Sequence, residues 1–171
     1  MVRGRGSSGG FTLIEIMVVV VIISMVLMLV IPKLPSSDQN NLKNSARTLA
    51  STLRYLQERA AASGSGFSLT MAPGTDHMKI SEVSGDGSRV EPKDPLLQKS
   101  PIIAGIIVTD VRIPRLGKVT EGELRVDVGV GGIRDFVTIH LQAPSGQFWT
   151  VMAFPSGGKV KQYPGYLEDP L

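Results

Sequence analysis

Gly10-Phe11-Thr12-Leu13-Ile14-Glu15-Ile16-Met17-Val18-Val19-Val20-Val21-Ile22-Ile23-Ser24-Met25-Val26-Leu27-Met28-Leu29-Val30-Ile31 decides how the rest of this 171-residue chain is read. Between Phe11 and Ile31 the only residues that are not apolar are Thr12, Glu15 and Ser24. As a helix rising about 1.5 Å per residue, this stretch reaches roughly 31 Å, close to the hydrocarbon thickness of a bilayer. The β-branched run Val18 to Ile23 would suit a buried strand in water. Lipid forces every backbone group to pair within its own segment and therefore selects helix. Pro32 and Pro35 mark where that stiff segment kinks or loosens.

Two features set the segment apart from a plain anchor. Ten residues precede it, glycine-rich, carrying Arg3 and Arg5 and ending in Gly10. A secretory signal peptide would place small residues after its apolar region, whereas here the chain continues Val30-Ile31-Pro32-Lys33-Leu34-Pro35 with no Ala-x-Ala site. The second feature is Glu15, since a charge at the bilayer centre costs about 2.5 to 3.5 kcal/mol or more. One reading lets it reach the interface or take up a proton. In the other, a cut between Gly10 and Phe11 frees an α-amino group, placed at the depth of a neighbouring copy's Glu15. The two charges then pair, and an unpaired Glu15 is penalised until the neighbour arrives.

A short basic leader ending in Gly10, followed by Phe11-Thr12-Leu13-Ile14-Glu15 at the head of an apolar helix, resembles the type IV prepilin and pseudopilin signature. The resemblance implies cleavage between Gly10 and Phe11 by a prepilin peptidase, N-methylation of Phe11, and Glu15 as the fifth residue of the mature chain. It also implies a single-pass inner-membrane protein with its N-terminus in the cytoplasm and its C-terminal domain in the periplasm. The expected partners are the peptidase, other major and minor pseudopilins, an inner-membrane assembly platform and membrane lipid.

Beyond the prolines, Leu42, Ala46, Leu49, Leu53, Leu56 and Ala60 recur at alternate spacings of four and three. This predicts an amphipathic helix that starts near the capping oxygens of Ser36, Ser37 and Asp38 and stops at Ser63-Gly64. From Phe67 onward the pattern shortens to strands near residues 67–71, 77–83, 105–113, 123–128, 136–141 and 147–152, several alternating apolar with polar. The expected fold is α+β. A long N-terminal helix, transmembrane over 11–31 and amphipathic over 32–64, follows the leader 1–10 and packs on an antiparallel sandwich-like domain over 65–171. Residues 84–101, polar and proline-bearing, read as a surface excursion open to partners. The stripe ending in Glu58-Arg59-Ala60 and the turn Phe154-Pro155-Ser156-Gly157-Gly158 further resemble H-type minor pseudopilins of type II secretion. That implies a filament subunit, near the tip of a pseudopilus that drives protein export. The alternative is a minor type IV pilin that primes pilus assembly or takes up DNA.

Composition removes several other functions. Zero cysteines exclude a disulfide framework, a thiolate zinc site and a cysteine nucleophile. His77 and His140 stand alone in strand-like segments without ligand spacing, so no metal or cofactor is expected. Ser145 and Ser156 sit in Pro-Ser-Gly turns, outside the strand-to-helix elbow of serine hydrolases. Gly129-Val130-Gly131-Gly132 joins two strands and opens no helix that could take a phosphate. Asp86, Glu91 and Asp94 are poorly spaced for calcium. Lys159 and Lys161 beside Glu168 and Asp169 make too thin a patch for nucleic acid, and the net charge of +3 is small. Removing the leader with Arg3 and Arg5 takes 18 basic against 15 acidic residues to 16 against 15. An enzyme is not expected.

Overall fold

The computed structural model describes residues 11–30, 37–155 and 159–168. The expected leader with Gly10, the two prolines Pro32 and Pro35, and Ser156 and Asp169 lie outside the described residues. The chain divides into two compact units, residues 1–35 and 36–171.

In the first unit, α1 runs Leu13–Val30. Its side chains are exposed on every side from Leu13 to Met28, Glu15 and Ser24 included. The expectation of a spanning helix over 11–31 is corrected: the helix starts only at Leu13, because Thr12 caps it from outside, and Ile31 lies outside the described residues. The 18 residues rise about 27 Å. Among the described residues no helix is long and apolar enough to cross a membrane.

The second unit is α+β. Helix α2, Ser37–Ser63, is followed by β1 (Gly66–Met71), β2 (Met78–Val83), β3 (Arg89–Val90), β4 (Ile107–Ile113), β5 (Gly117–Val119), β6 (Leu124–Gly129), β7 (Gly132–Ile133), β8 (Val137–Gln142), β9 (Phe148–Ala153) and β10 (Val160–Pro164). The strands form two antiparallel sheets, ordered β3-β2-β1-β6-β7 and β10-β9-β8-β4-β5. Helix α2 packs on both, against β1, β6 and β7 of the first and β8, β9 and β10 of the second. The predicted stripe is the face it buries, with Leu49, Leu56, Ala46 and Ala60 fully inaccessible. Gly64 ends the helix as read from the sequence: its N–H bonds the Ala60 carbonyl at 3.0 Å and its φ of 71° suits glycine. Alternation decides the sheets' inner faces. Phe67, Leu69 and Met71 of β1 stand across from Val128, Val126 and Leu124 of β6. Val137, Ile139 and Leu141 of β8 do the same across from Ala153, Val151 and Trp149 of β9.

The segment over 84–101 is mostly exposed, as expected of a surface excursion, yet it is tied to the domain. It contains β3, and Leu97 is 2% exposed in the core. The Tyr55 hydroxyl of α2 donates to Asp94, and Ser45 of α2 accepts from the Ile103 N–H at 3.0 Å. The segment is thus pinned along the helix. The hydrogen bond from Tyr55, with that from the Leu96 N–H, holds the Asp94 carboxyl below its ordinary value, while Asp94 raises Tyr55 above its own. A depressed carboxyl stabilises the fold above its unfolded pKa and loses that contribution as pH falls through the lower folded value. Acidification below about pH 4 should therefore speed hydrogen exchange at Leu96 and Leu97 ahead of global unfolding. The substitution Tyr55→Phe should produce the same faster exchange at neutral pH, and unchanged exchange would refute the pinning.

Candidate functional site

Thr12 organises the start of α1. Its carbonyl accepts from the N–H groups of Glu15 at 3.1 Å and Ile16 at 3.3 Å, and its hydroxyl oxygen accepts from the Glu15 N–H at 3.3 Å. These are N-cap contacts, which satisfy donors left free in a first helical turn. Glu15 itself lies in that turn, where a carboxylate meets the positive end of the helix dipole. Its carboxylate has no partner among the described residues and is exposed. Ser24, the other polar side chain, donates to the Val20 carbonyl at 2.7 Å and so hides its hydroxyl within the helix. An apolar surface on all sides with one free carboxylate near its N-terminus suits association within lipid or with other such helices.

A second polar constellation was not foreseen. His140 is fully buried, its Nδ1 2.7 Å from Asp110 Oδ1 and its Nε2 2.8 Å from the Leu167 carbonyl. Both ring nitrogens therefore have an oxygen within hydrogen-bond distance. Tyr166 donates to Asp110 Oδ2 at 3.1 Å and stacks on His140 with ring centroids 3.8 Å apart. Lys118 stands 3.8 Å from the same Oδ2, and the Tyr166 hydroxyl, followed by the Asp110 charge, holds its ammonium above the ordinary lysine range. Thr150 completes the row: its hydroxyl donates to the Gly165 carbonyl at 2.7 Å and accepts from the Leu167 N–H at 3.0 Å.

Sheet register makes this row. Asp110 of β4, His140 of β8 and Thr150 of β9 are direct cross-strand neighbours. A bulge between Val108 and Asp110 inserts Thr109. Without that extra residue Asp110 would face Ile139 on the core side, because one residue of slip exchanges the two faces of a strand. The bulge therefore places a carboxylate beside a histidine instead of in the apolar core. The row ties residues 165–167 to the sheet. It offers no open catalytic position, since Nε2 is occupied by a carbonyl and no nucleophile is bonded to the ring.

The remaining sequence candidates stay apart. His77 is exposed and receives no ring contact. Ser145 lies in an exposed turn closed by the Gly146 N–H on the Ala143 carbonyl. Asp86 bonds the hydroxyl and N–H of Ser88, which hold its carboxyl below the ordinary value. Among the described residues no group of three acidic or histidine side chains could hold a metal. Lys161 lies over the Phe154 ring at 5.8 Å. The glycines at 129–132 form the β6–β7 turn, as expected. Replacing Asp110 with alanine would strip the partner from a buried ring and from Tyr166, which should cost about 3 to 5 kcal/mol. Denaturant unfolding followed by the single Trp149 would measure it, and a loss under about 1 kcal/mol would show that the row is not a buried unit.

Residues 5–31 match the prokaryotic N-terminal methylation motif. No curated protein matches the chain. Among solved structures it is similar to the minor pseudopilin EpsH from the type 2 secretion system of Vibrio cholerae, with a TM-score of 0.53 and 18% identity over 72% of this chain and 97% of that one. At that identity the likeness is one of fold. The chain thus combines a prokaryotic N-terminal methylation motif with a domain whose fold is similar to that of a minor pseudopilin.

Proposed function

We propose that the protein is a minor pseudopilin of a type II secretion system, processed between Gly10 and Phe11 and methylated on Phe11. The observation that carries this reading is one pairing. An apolar helix headed by Phe11-Thr12-Leu13-Ile14-Glu15 precedes a domain with the fold of a minor pseudopilin. Residues 11–31 anchor the precursor in the inner membrane. The apolar surface of α1 on every side supports this reading. The domain from Ser36 onward then lies in the periplasm.

Processing changes the electrostatics of that anchor. Cleavage removes Arg3 and Arg5 and creates an α-amino group four residues ahead of Glu15. In a low-dielectric surrounding the amine of one subunit and Glu15 of its neighbour each cost free energy until they meet, which couples leader removal to register in the filament. The prepilin peptidase acts first, other pseudopilins and the assembly platform next, and the chain performs no catalysis of its own. In this reading the chain stands near the tip of the pseudopilus.

Glu15→Ala should leave membrane insertion intact and reduce co-isolation with other pseudopilins at least about fivefold, the scale of 1 kcal/mol or more for a desolvated charge pair. Wild-type incorporation would remove the pairing argument. Deleting the gene should abolish export of folded exoproteins. Normal export with lost motility or lost DNA uptake would move the protein to a type IV pilus system instead.

A further inference from the structure

Strand β10 ends at Pro164, and Gly165-Tyr166-Leu167-Glu168 then lie over the outer face of the second sheet. They are not a strand of it. Among the described residues the sheet's backbone reaches them once, where the Gly165 N–H donates to the Phe148 carbonyl at 2.9 Å. Their other polar contacts come from side chains. Thr150 donates to the Gly165 carbonyl at 2.7 Å and accepts from the Leu167 N–H at 3.0 Å. His140 Nε2 stands 2.8 Å from the Leu167 carbonyl. Asp110 accepts from the Tyr166 hydroxyl at 3.1 Å, and the Arg112 guanidinium lies 3.3 Å from the Glu168 carboxylate.

Each contact selects a different feature of the segment. The first residue sits at φ 88°, where glycine is at ease. The second must be aromatic, because the Tyr166 ring stacks on His140 at 3.8 Å, meets Phe148 edge-on at 5.5 Å and lies 5.1 Å from the Lys118 ammonium. At the third, Thr150 and His140 meet only backbone, so Leu167 is free in its side chain. The fourth is an acid that faces Arg112. Beneath them Asp110, His140 and Thr150 are at most 1% exposed. Buried polar groups of this kind need partners, so the row still demands this pattern if the segment leaves. Leaving breaks no strand pairing, since the β9–β10 register closes at Pro164 opposite Trp149 and the glycine hinge follows it.

We propose that residues 166–168 are a clasp, hinged at Gly165, that opens as one unit on the intact sandwich, and that the site beneath it takes a peptide segment of the same pattern, glycine, tyrosine, any residue, acid. The chain's own segment holds the site closed by proximity. A segment with this pattern on a partner displaces it and meets the same row: its carbonyls on Thr150 and His140, its tyrosine on His140 and Asp110, and its acid on Arg112. An aliphatic segment would leave Asp110 without its hydroxyl donor.

The test uses the full chain in detergent. Tyr166→Ala leaves the bond between Leu167 N–H and Thr150 its atoms, yet it should speed amide exchange at Leu167 about tenfold, the scale of one lost aromatic stack, with Leu141 and Val151 in the sheet unchanged. Tyr166→Phe, which deletes only the hydroxyl, should do the same about fivefold and serves if the alanine variant does not fold. An unmoved Leu167 would show that the contacts act singly, and exchange that quickens equally at Leu141 and Val151 would show that the segment opens only with the whole domain. Either result overturns the clasp. Labelled acetyl-Pro-Gly-Tyr-Leu-Glu-Asp-Pro-amide, followed by anisotropy, should bind the Tyr166→Ala chain about tenfold more tightly than the wild-type chain, whose site is filled, and about tenfold more tightly than the same peptide with alanine for tyrosine. Equal binding to both chains, or no saturable binding up to millimolar peptide, would overturn the reading of the site.

Discussion

The fold of the second unit depends on α2 being apolar along one face and wide enough to serve two sheets. Leu42, Leu49, Leu53 and Leu56 reach near-complete burial, and Ala46, Ala50 and Ala60 let the strands approach the helix backbone between them. At about 25 cal/mol per Å² of apolar surface, burial of this stripe stabilises the second unit. Because α2 touches both sheets, neither sheet needs a complete inner face of its own. That tolerance is visible at the margins. The first sheet ends in the two-residue β7 and the second in the three-residue β5, and the space between these edges stays open as a cleft.

Helix α1 is governed by the opposite arrangement. With apolar side chains on every side, it has no stripe to bury against a sheet, and its single carboxylate lies in the first turn. Lipid and neighbouring helices can satisfy such a surface, and water cannot. The two helices therefore divide the work by pattern. One builds the domain, and the other presents an apolar surface with no partner in its own unit.

How much of this could be read from sequence follows from distance along the chain. The methylation motif was legible because its residues lie close together along the chain, and the stripe of α2 because its period is local. Six strands announced themselves by alternation. The four that did not are β3, β5 and β7, of two or three residues, and β10, whose Val160-Lys161-Gln162-Tyr163-Pro164 carries too little apolar alternation. The row Asp110, His140, Thr150 was hidden because it needs the register of three strands and a bulge at Thr109. Tyr55 and Asp94, 39 residues apart, left no local trace either, so the pinned segment after β2 read as free. His140 stood alone in an alternating strand, and nothing near it in sequence named its partners.

The account turns on whether the apolar helix begins the mature chain at Phe11. Intact mass of the membrane-extracted protein measures this most directly. The mass should correspond to residues 11–171 plus one N-terminal methyl group. A chain that retains residues 1–10, with Phe11 internal and unmodified, would contradict it.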